Sequence, residues 1–310
     1  MANGGASPRG YHYFNEFQQC PRRWYIHHIL RLVPVKEKSS LIFGKVWHYF
    51  IEQYLQTDDL TASSVAAMKE LQVYWNQGAY SDEDDYKKHL EWLKSGIPAW
   101  VNSYHEMETA FGMGARLSIL SVEDTGQFSL ADETIFTGRT DGIGTFTDGR
   151  NLVLEHKHTG YSADKTLQSL DLEDQLSGYL LIAKAAHPEL DHIDGVLVDI
   201  TLFKGAIPKT AWSIITRSHD ELVDFQLSLI GLSTDLRDRT AAVLEDGWPK
   251  RRGWCWGNPF LYFPRNGAWC GMFGCPYELI CRSRLEQKDL SSLDGFTVEE
   301  GESDALSEEA

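Results

Sequence analysis

Residues 137–160 read TGRTDGIGTFTDGRNLVLEHKHTG, and this stretch decides the fold. Ile135 to Phe146 is β-prone. Thr147-Asp148-Gly149-Arg150 is a turn with glycine where a positive φ is often needed, and Asn151 to His158 alternates again. The stretch therefore reads as a β-hairpin. Strand side chains alternate faces, so Glu155 and Lys157 point one way and Leu154 and His156 the other. Suitable pairing brings Asp141, on the first arm, beside Glu155 and Lys157.

Two carboxylates and a lysine on one sheet face are costly to assemble unless a cation neutralises the acids. A divalent metal does so, and it also polarises a phosphoryl oxygen and lowers the pKa of a bound water. The lysine can then orient that water or stabilise charge developing on the phosphate. A solvated hairpin carrying a surface ion pair satisfies the same short pattern, so the rest of the chain has to decide.

With 310 residues the chain can bury a substantial core, as one large domain or one domain with an insertion. No apolar run reaches the length of a membrane span and MANGGASPRG has no apolar signal core, so a cytoplasmic protein without a membrane partner is expected. The net charge of −16 argues against a general polyanion binder. Ser283 to Ala310 holds nine acidic and two basic residues and reads as an acidic disordered tail. The body remains acidic, which restricts nucleic-acid contact to a local basic channel.

Along the chain, residues 1–10 read as a flexible leader and 11–282 as a single domain. Tyr11 to Leu32 is helical, with Pro21 kinking or restarting it, and 33–40 is a loop. Leu41 to Gln56 is an amphipathic helix on which Gly44 and His48, four apart, share a face. An interior glycine costs about 1 kcal/mol relative to alanine, worthwhile where a backbone or ligand must come close. Residues 57–115 read as a helical insertion. Leu117 to Val122 and Gln127 to Leu130 are strands leading into the hairpin, with Glu123 near the first. Leu172 to Ala186 is a helix carrying Gln175 and Tyr179 on one face. Gly195 to Leu202 and Ala211 to Thr216 form another antiparallel pair, and Ser218 caps a long helix ending at Glu245. The chain contains no G-x-x-x-x-G-K-[ST] phosphate loop, which argues against a helicase or ATPase.

The segment 247–282 changes character, being rich in Trp, Gly, Pro and Cys with little periodicity, and it would gain from a metal staple. Of five cysteines, Cys270, Cys275 and Cys281 lie within twelve residues. A closed site needs a fourth ligand, Cys255 or Cys20, and spacing alone does not separate zinc from an iron–sulphur cluster.

Six elements then occur in one order: Cys20-Pro21 with Tyr25, Gly44 with His48, Gly138 with Asp141, Glu155 with Lys157, Gln175 with Tyr179, and the terminal cysteine triplet. In this the chain resembles the PD-(D/E)XK nucleases of the RecB type, most closely the iron–sulphur exonucleases. Those include the AddB nuclease domain, the CRISPR-associated adaptation exonucleases and related phage exonucleases. The resemblance spans Phe17 to Cys281.

It implies an α/β (α+β) restriction-endonuclease-like core: a central mixed sheet flanked by helices, a helical insertion, and a Cys-rich clip closing onto Cys20. It further implies that His48, Asp141 and Glu155 hold Mg²⁺ or Mn²⁺, that Lys157 is catalytic, and that Gln175 and Tyr179 position DNA and the active-site elements. Cys20, Cys270, Cys275 and Cys281 would hold a [4Fe–4S] cluster, with zinc as the alternative. The four residues between Cys270 and Cys275 exceed the common family spacing, and Cys255 has no place in the pattern.

The expected activity is metal-dependent hydrolysis of DNA, single-stranded or at duplex ends, in recombination, repair or processing. The protein would act alone or with a helicase or recombination partner, in a bacterial or phage-infected cell. Arg22, Arg23, Lys250, Arg251, Arg252 and Arg265 are interleaved with Trp248, Trp254 and Trp256, a mixture suited to phosphate pairing and base stacking on single strands. A non-catalytic DNA-binding protein that keeps the fold is the competing expectation.

Overall fold

The computed structural model describes residues 9–111, 116–160, 162–204, 207–245, 263–266, 275–282 and 295–298. Two compact units are distinguished. The first is built from Glu37–Ser129 and Ile135–Gln226, the second from Pro8–Lys36, Leu130–Thr134 and Leu227–Ala310.

The first unit is organised on a five-stranded sheet of β2 (Leu117–Ser129), β3 (Ile135–Phe146), β4 (Asn151–Thr159), β5 (Gly195–Leu202) and β6 (Lys209–Ile215), in that spatial order. The sheet is mixed: β4 and β5 run parallel and the other neighbours antiparallel. The hairpin of the sequence reading is β3–β4, and Gly149 takes φ +94° in its turn. Parallel pairing needs a crossover, supplied by α6 (Ala163–Leu172) and α7 (Asp174–Ala186). The sequence reading gave a single helix from Leu172; two form because Glu173 is extended between them (ψ 133°).

The sheet is covered on both faces, which is why β4 and β5 read as nearly continuous apolar runs. On one face Leu152, Leu154 and Leu197 join Ile42, Phe43, Trp47 and Phe50 of α3 (Ser39–Thr57), together with Leu71 of α4 (Leu60–Asn76) and Trp100 of α5 (Glu83–Phe111). On the other, Ile143, Val153, Val196, Val198 and Ile200 pack with Leu176, Leu180 and Ala183 of α7. The stretch 57–115, expected as a helical insertion, holds α4 and α5, which form one wall of the core. Asp59 caps α4 by accepting from Ala62 N at 2.9 Å.

Gly126 of β2 faces Gly138 of β3, and together they floor the seat of α7. A Cβ on Gly126 would lie 2.8 Å from Ile182 Cγ2, and one on Gly138 would lie 2.1 Å from Ile182 Cδ1. No side chain fits either position without displacing Ile182. β2 itself is one strand where the sequence reading gave two, with a register shift between Ile119 and Ser121. Ser218 and Glu221 cap α8 (His219–Glu245) reciprocally, as Ser218 Oγ accepts from Glu221 N at 3.2 Å and Glu221 Oε2 accepts from Ser218 N at 2.7 Å.

In the second unit, Pro21 restarts the helix as expected. α1 (Tyr11–Gln19) ends at extended Cys20, α2 (Pro21–Trp24) follows, and a π-turn runs from Tyr25 to Ile29. Phe17, Trp24, Tyr25, Ile26, Phe263, Tyr277 and Ile280 form the unit's core, the last from α9 (Glu278–Arg282). Residues 32–34, partly assigned to a loop from sequence, form β1 (Leu32–Pro34), paired antiparallel with β7 (Phe296–Val298). β7 lies within the stretch read as an acidic tail. Among the described residues, no helix is long and apolar enough to cross a membrane.

Candidate active site

Asp141, Glu155, Lys157 and His48 converge in the first unit. The β3–β4 ladder ends at Gly142–Leu154, one residue short of Asp141 and Glu155. The strands then open, and Asp141 Oδ2 accepts instead from the backbone N–H of His156 at 2.7 Å. Its other oxygen stands 3.3 Å from His48 Nδ1, presented by α3 one turn after Gly44. What comes close to Gly44 is the ring of His158, whose Cε1 would lie 2.8 Å from a Cβ there. Burial and the nearby His48 charge lower the His158 pKa to about 4, so that ring is neutral.

Glu155 is the pivot. One oxygen pairs with Lys157 Nζ, while the other, Oε2, is buried with no hydrogen-bond partner. Such an orphan is costly in a protein interior. Burial and the Asp141 charge raise the Glu155 pKa to about 7, outweighing Lys157. At His48 burial acts downward, but the Asp141 carboxylate prevails and raises the pKa to about 9. Asp141 is held well below the usual carboxylate range: burial opposes this, and His48 and His156 overcome it. The orphaned Glu155 oxygen and the raised pKa values of Glu155 and His48 mark a local surplus of negative charge.

A further carboxylate stands here that the sequence reading placed only near a strand. Register puts Glu123 opposite Asp141, between the pairs Val122–Gly142 and Asp124–Thr140. Ligand atoms of His48, Glu123 and Asp141 all lie within 4.8 Å of one another. Glu123 has φ +50°, a left-handed conformation that costs a non-glycine residue about 1–2 kcal/mol. Such strain is concentrated at functional sites. Burial first, and Asp141 second, raise its pKa, while Arg139 pairs with it at 2.7 Å. The sequence signal was thin, because only the β2–β3 register aligns Glu123 with Asp141.

Gln175 and Tyr179 of α7 complete a chain of contacts. Lys157 Nζ donates to Gln175 Oε1 at 3.2 Å, and Gln175 Nε2 donates to Tyr179 Oη at 2.7 Å. The Lys157 pKa is raised: burial acts against the charge, and Glu155 overcomes it. Behind β4, on its other face, His156 Nδ1 hydrogen-bonds Asp199 Oδ2, and Trp100 Nε1 donates to Asp199 Oδ1 at 3.2 Å. Asp199 is fully buried. Sequence reasoning missed this support because β4 and β5 are 43 residues apart in register.

Those of the remaining sequence-derived residues that the structure describes belong to the second unit. Cys20 is buried, and Cys275 and Cys281 are half-buried against the cluster of Phe17 and Trp24. Arg22 Nε donates to Phe263 O at 3.3 Å. Cys255, Cys270, Lys250, Arg251, Arg252, Trp248, Trp254 and Trp256 lie outside the described residues.

Comparison with known proteins follows the same lines. The profile of the PD-(D/E)XK nuclease superfamily matches residues 12–282, and the chain belongs to that superfamily. A search of curated proteins gives no match. Among solved structures, the one described as "Crystal structure of SSO0001" is similar at 12% identity, covering 80% of this chain and 82% of that one, with a TM-score of 0.30. The family implies a metal-dependent nuclease with DNA as its substrate, and a mixed five-stranded sheet flanked by helices is consistent with its fold.

Proposed function

We propose that this chain is a Mg²⁺- or Mn²⁺-dependent deoxyribonuclease, an exonuclease hydrolysing single-stranded DNA or DNA ends in recombination, repair or processing. One observation carries the reading: Glu155 Oε2, a buried carboxylate oxygen without a partner, in the electrostatic field of Asp141, His48 and Lys157. His48, Asp141 and Glu155 are the proposed ligands, with Glu123 added by its proximity to the first two. A divalent metal, when bound there, supplies Lewis acidity toward a phosphoryl oxygen and a water of lowered pKa.

The chain's own groups then have defined work. Lys157 stays protonated between Glu155 and Gln175, so it serves as a hydrogen-bond donor to the attacking water or to charge developing on the phosphate, not as a base. Gln175 and Tyr179 position that ammonium and the incoming strand. Arg22 and Arg251 are proposed phosphate contacts. Cys20, Cys270, Cys275 and Cys281 are proposed to hold a [4Fe–4S] cluster, with zinc as the alternative. Support comes from the placement of Cys275 and Cys281 against the core of the unit that contains Cys20. The protein is proposed to act in the cytoplasm of a bacterial or phage-infected cell, alone on DNA ends or fed by a helicase or recombination protein.

The test is cleavage of end-labelled single- and double-stranded DNA by anaerobically purified wild type and Lys157→Ala, with Mg²⁺, Mn²⁺ or chelator. Wild type should degrade DNA only with metal, and Lys157→Ala should not. If both bind DNA yet leave every substrate intact, the catalytic reading fails.

A further inference from the structure

A second cluster of metal-binding groups lies in the unit that does not contain Asp141 and Glu155. Glu16 of α1 is buried, and three cationic or imidazole groups converge on its carboxylate. Oε2 stands 2.8 Å from His27 Nδ1 and 3.0 Å from His28 Nε2, and Oε1 is 2.5 Å from Arg23 Nε. Adjacent residues on an ordinary helix diverge by about 100° and do not meet at one point. Here both histidines belong to the π-turn, closed by Leu30 N donating to Tyr25 O at 3.0 Å, and π-turns are found frequently at functional sites. Rings of Tyr13 and Trp24, at centroid distances of 4.7 and 5.5 Å, hold His28 in place.

We propose that Glu16, His27 and His28 form a site for a divalent transition-metal ion of the zinc type. The donor set is two imidazoles and a carboxylate, with all three ligand atoms within 4.8 Å of one another. Around a tetrahedral zinc with ligand bonds of about 2.0–2.1 Å, neighbouring donors stand about 3.3 Å apart, so the Glu16–His27 and Glu16–His28 spacings of 2.8 and 3.0 Å need open by only a few tenths of an ångström. Three protein ligands leave one position for water or a ligand, and the half-buried histidine side chains keep that position accessible. Arg23 on the opposite carboxylate oxygen fixes the orientation of Glu16 and weakens the site, since its positive charge opposes the ion. The ion ties α1 to the π-turn. This assignment is independent of the nuclease reading.

The experiment measures zinc bound per chain, at buffered free Zn²⁺, for the full-length protein and its variants. Zinc taken by the cysteines or the nuclease site is common to all of them and cancels. His27→Gln/His28→Gln should hold one equivalent less than wild type, and Arg23→Gln should keep that equivalent and bind it several-fold more tightly. Because the double variant could fail to fold, His27→Gln alone, at the more exposed ring, is measured with near-ultraviolet dichroism as a fold check; it should release the same equivalent at several-fold lower chelator strength. If the folded His variants hold as much zinc as wild type, with unchanged affinity, and Arg23→Gln binds no more tightly, the cluster is a hydrogen-bonded knot and the proposal is overturned.

Discussion

Gly138→Ala tests whether the glycine floor under α7 sets the active site. The added Cβ would stand 2.1 Å from Ile182 Cδ1, against an ordinary carbon contact of about 3.5–4.0 Å. Ile182 is itself buried, so its δ-methyl has little room to retreat. Overpacking of this kind costs about 1–3 kcal/mol. Alanine recovers roughly 0.5–1 kcal/mol of the backbone entropy that glycine loses in a strand. A net destabilisation of about 1–2 kcal/mol follows.

The offending atom can be deleted. Ile182→Val removes Cδ1 and leaves Cγ1 at 3.5 Å, an ordinary contact, at a cost of about 1 kcal/mol by itself. The double variant should therefore be more stable than the sum of the singles by the overpacking cost, about 1–3 kcal/mol, a coupling that a double-mutant cycle in urea resolves. Because α7 also carries Gln175 and Tyr179, a shift of about 1 Å should lower single-turnover cleavage by Gly138→Ala up to about 100-fold, with recovery in the double variant. Wild-type stability in Gly138→Ala, or strict additivity in the double variant, would refute the argument.

Other perturbations have equally definite signs. Asp199→Ala should cost about 3–5 kcal/mol in urea unfolding, because it strands His156 and the Trp100 N–H in the core, while Asp199→Asn should cost less. Glu155 has a raised folded pKa, so its contribution to metal-free stability is present below its ordinary pKa and lost as pH rises from about 4.5 to about 7. Thermal melts in chelator should accordingly move in favour of Glu155→Gln over that window, and saturating Mn²⁺ should stabilise wild type above it. A wild-type curve flat relative to Glu155→Gln would contradict this. Glu123→Gly relieves a left-handed conformation worth about 1–2 kcal/mol, so it should melt no lower than wild type yet cleave at least tenfold more slowly.

The sequence made the hairpin legible because its physics is local: alternation, a glycine turn, and the shared face of Glu155 and Lys157. Helical spacing likewise put Gly44 with His48 and Gln175 with Tyr179 on shared faces, but only the family resemblance pointed to these residues as a site. What escaped depends on pairing at a distance. Glu123 acquires meaning only through the β2–β3 register, and Asp199 only through a parallel partner beyond the crossover. The break at Glu173 left no glycine or proline behind. β1 and β7 are three residues each, too short for any periodicity to show.

The β1–β7 pair sets a timetable for biosynthesis. The turn that joins β3 to β4 leaves the ribosome within a second, since Thr147–Arg150 is only four residues. β1, by contrast, waits for a partner roughly 260 residues downstream, about 13–50 s of translation at 5–20 residues per second. A nascent chain therefore exposes the Leu32–Pro34 edge long after the β3–β4 hairpin has closed. A chaperone or a neighbouring nascent chain on the same polysome has that interval in which to occupy it.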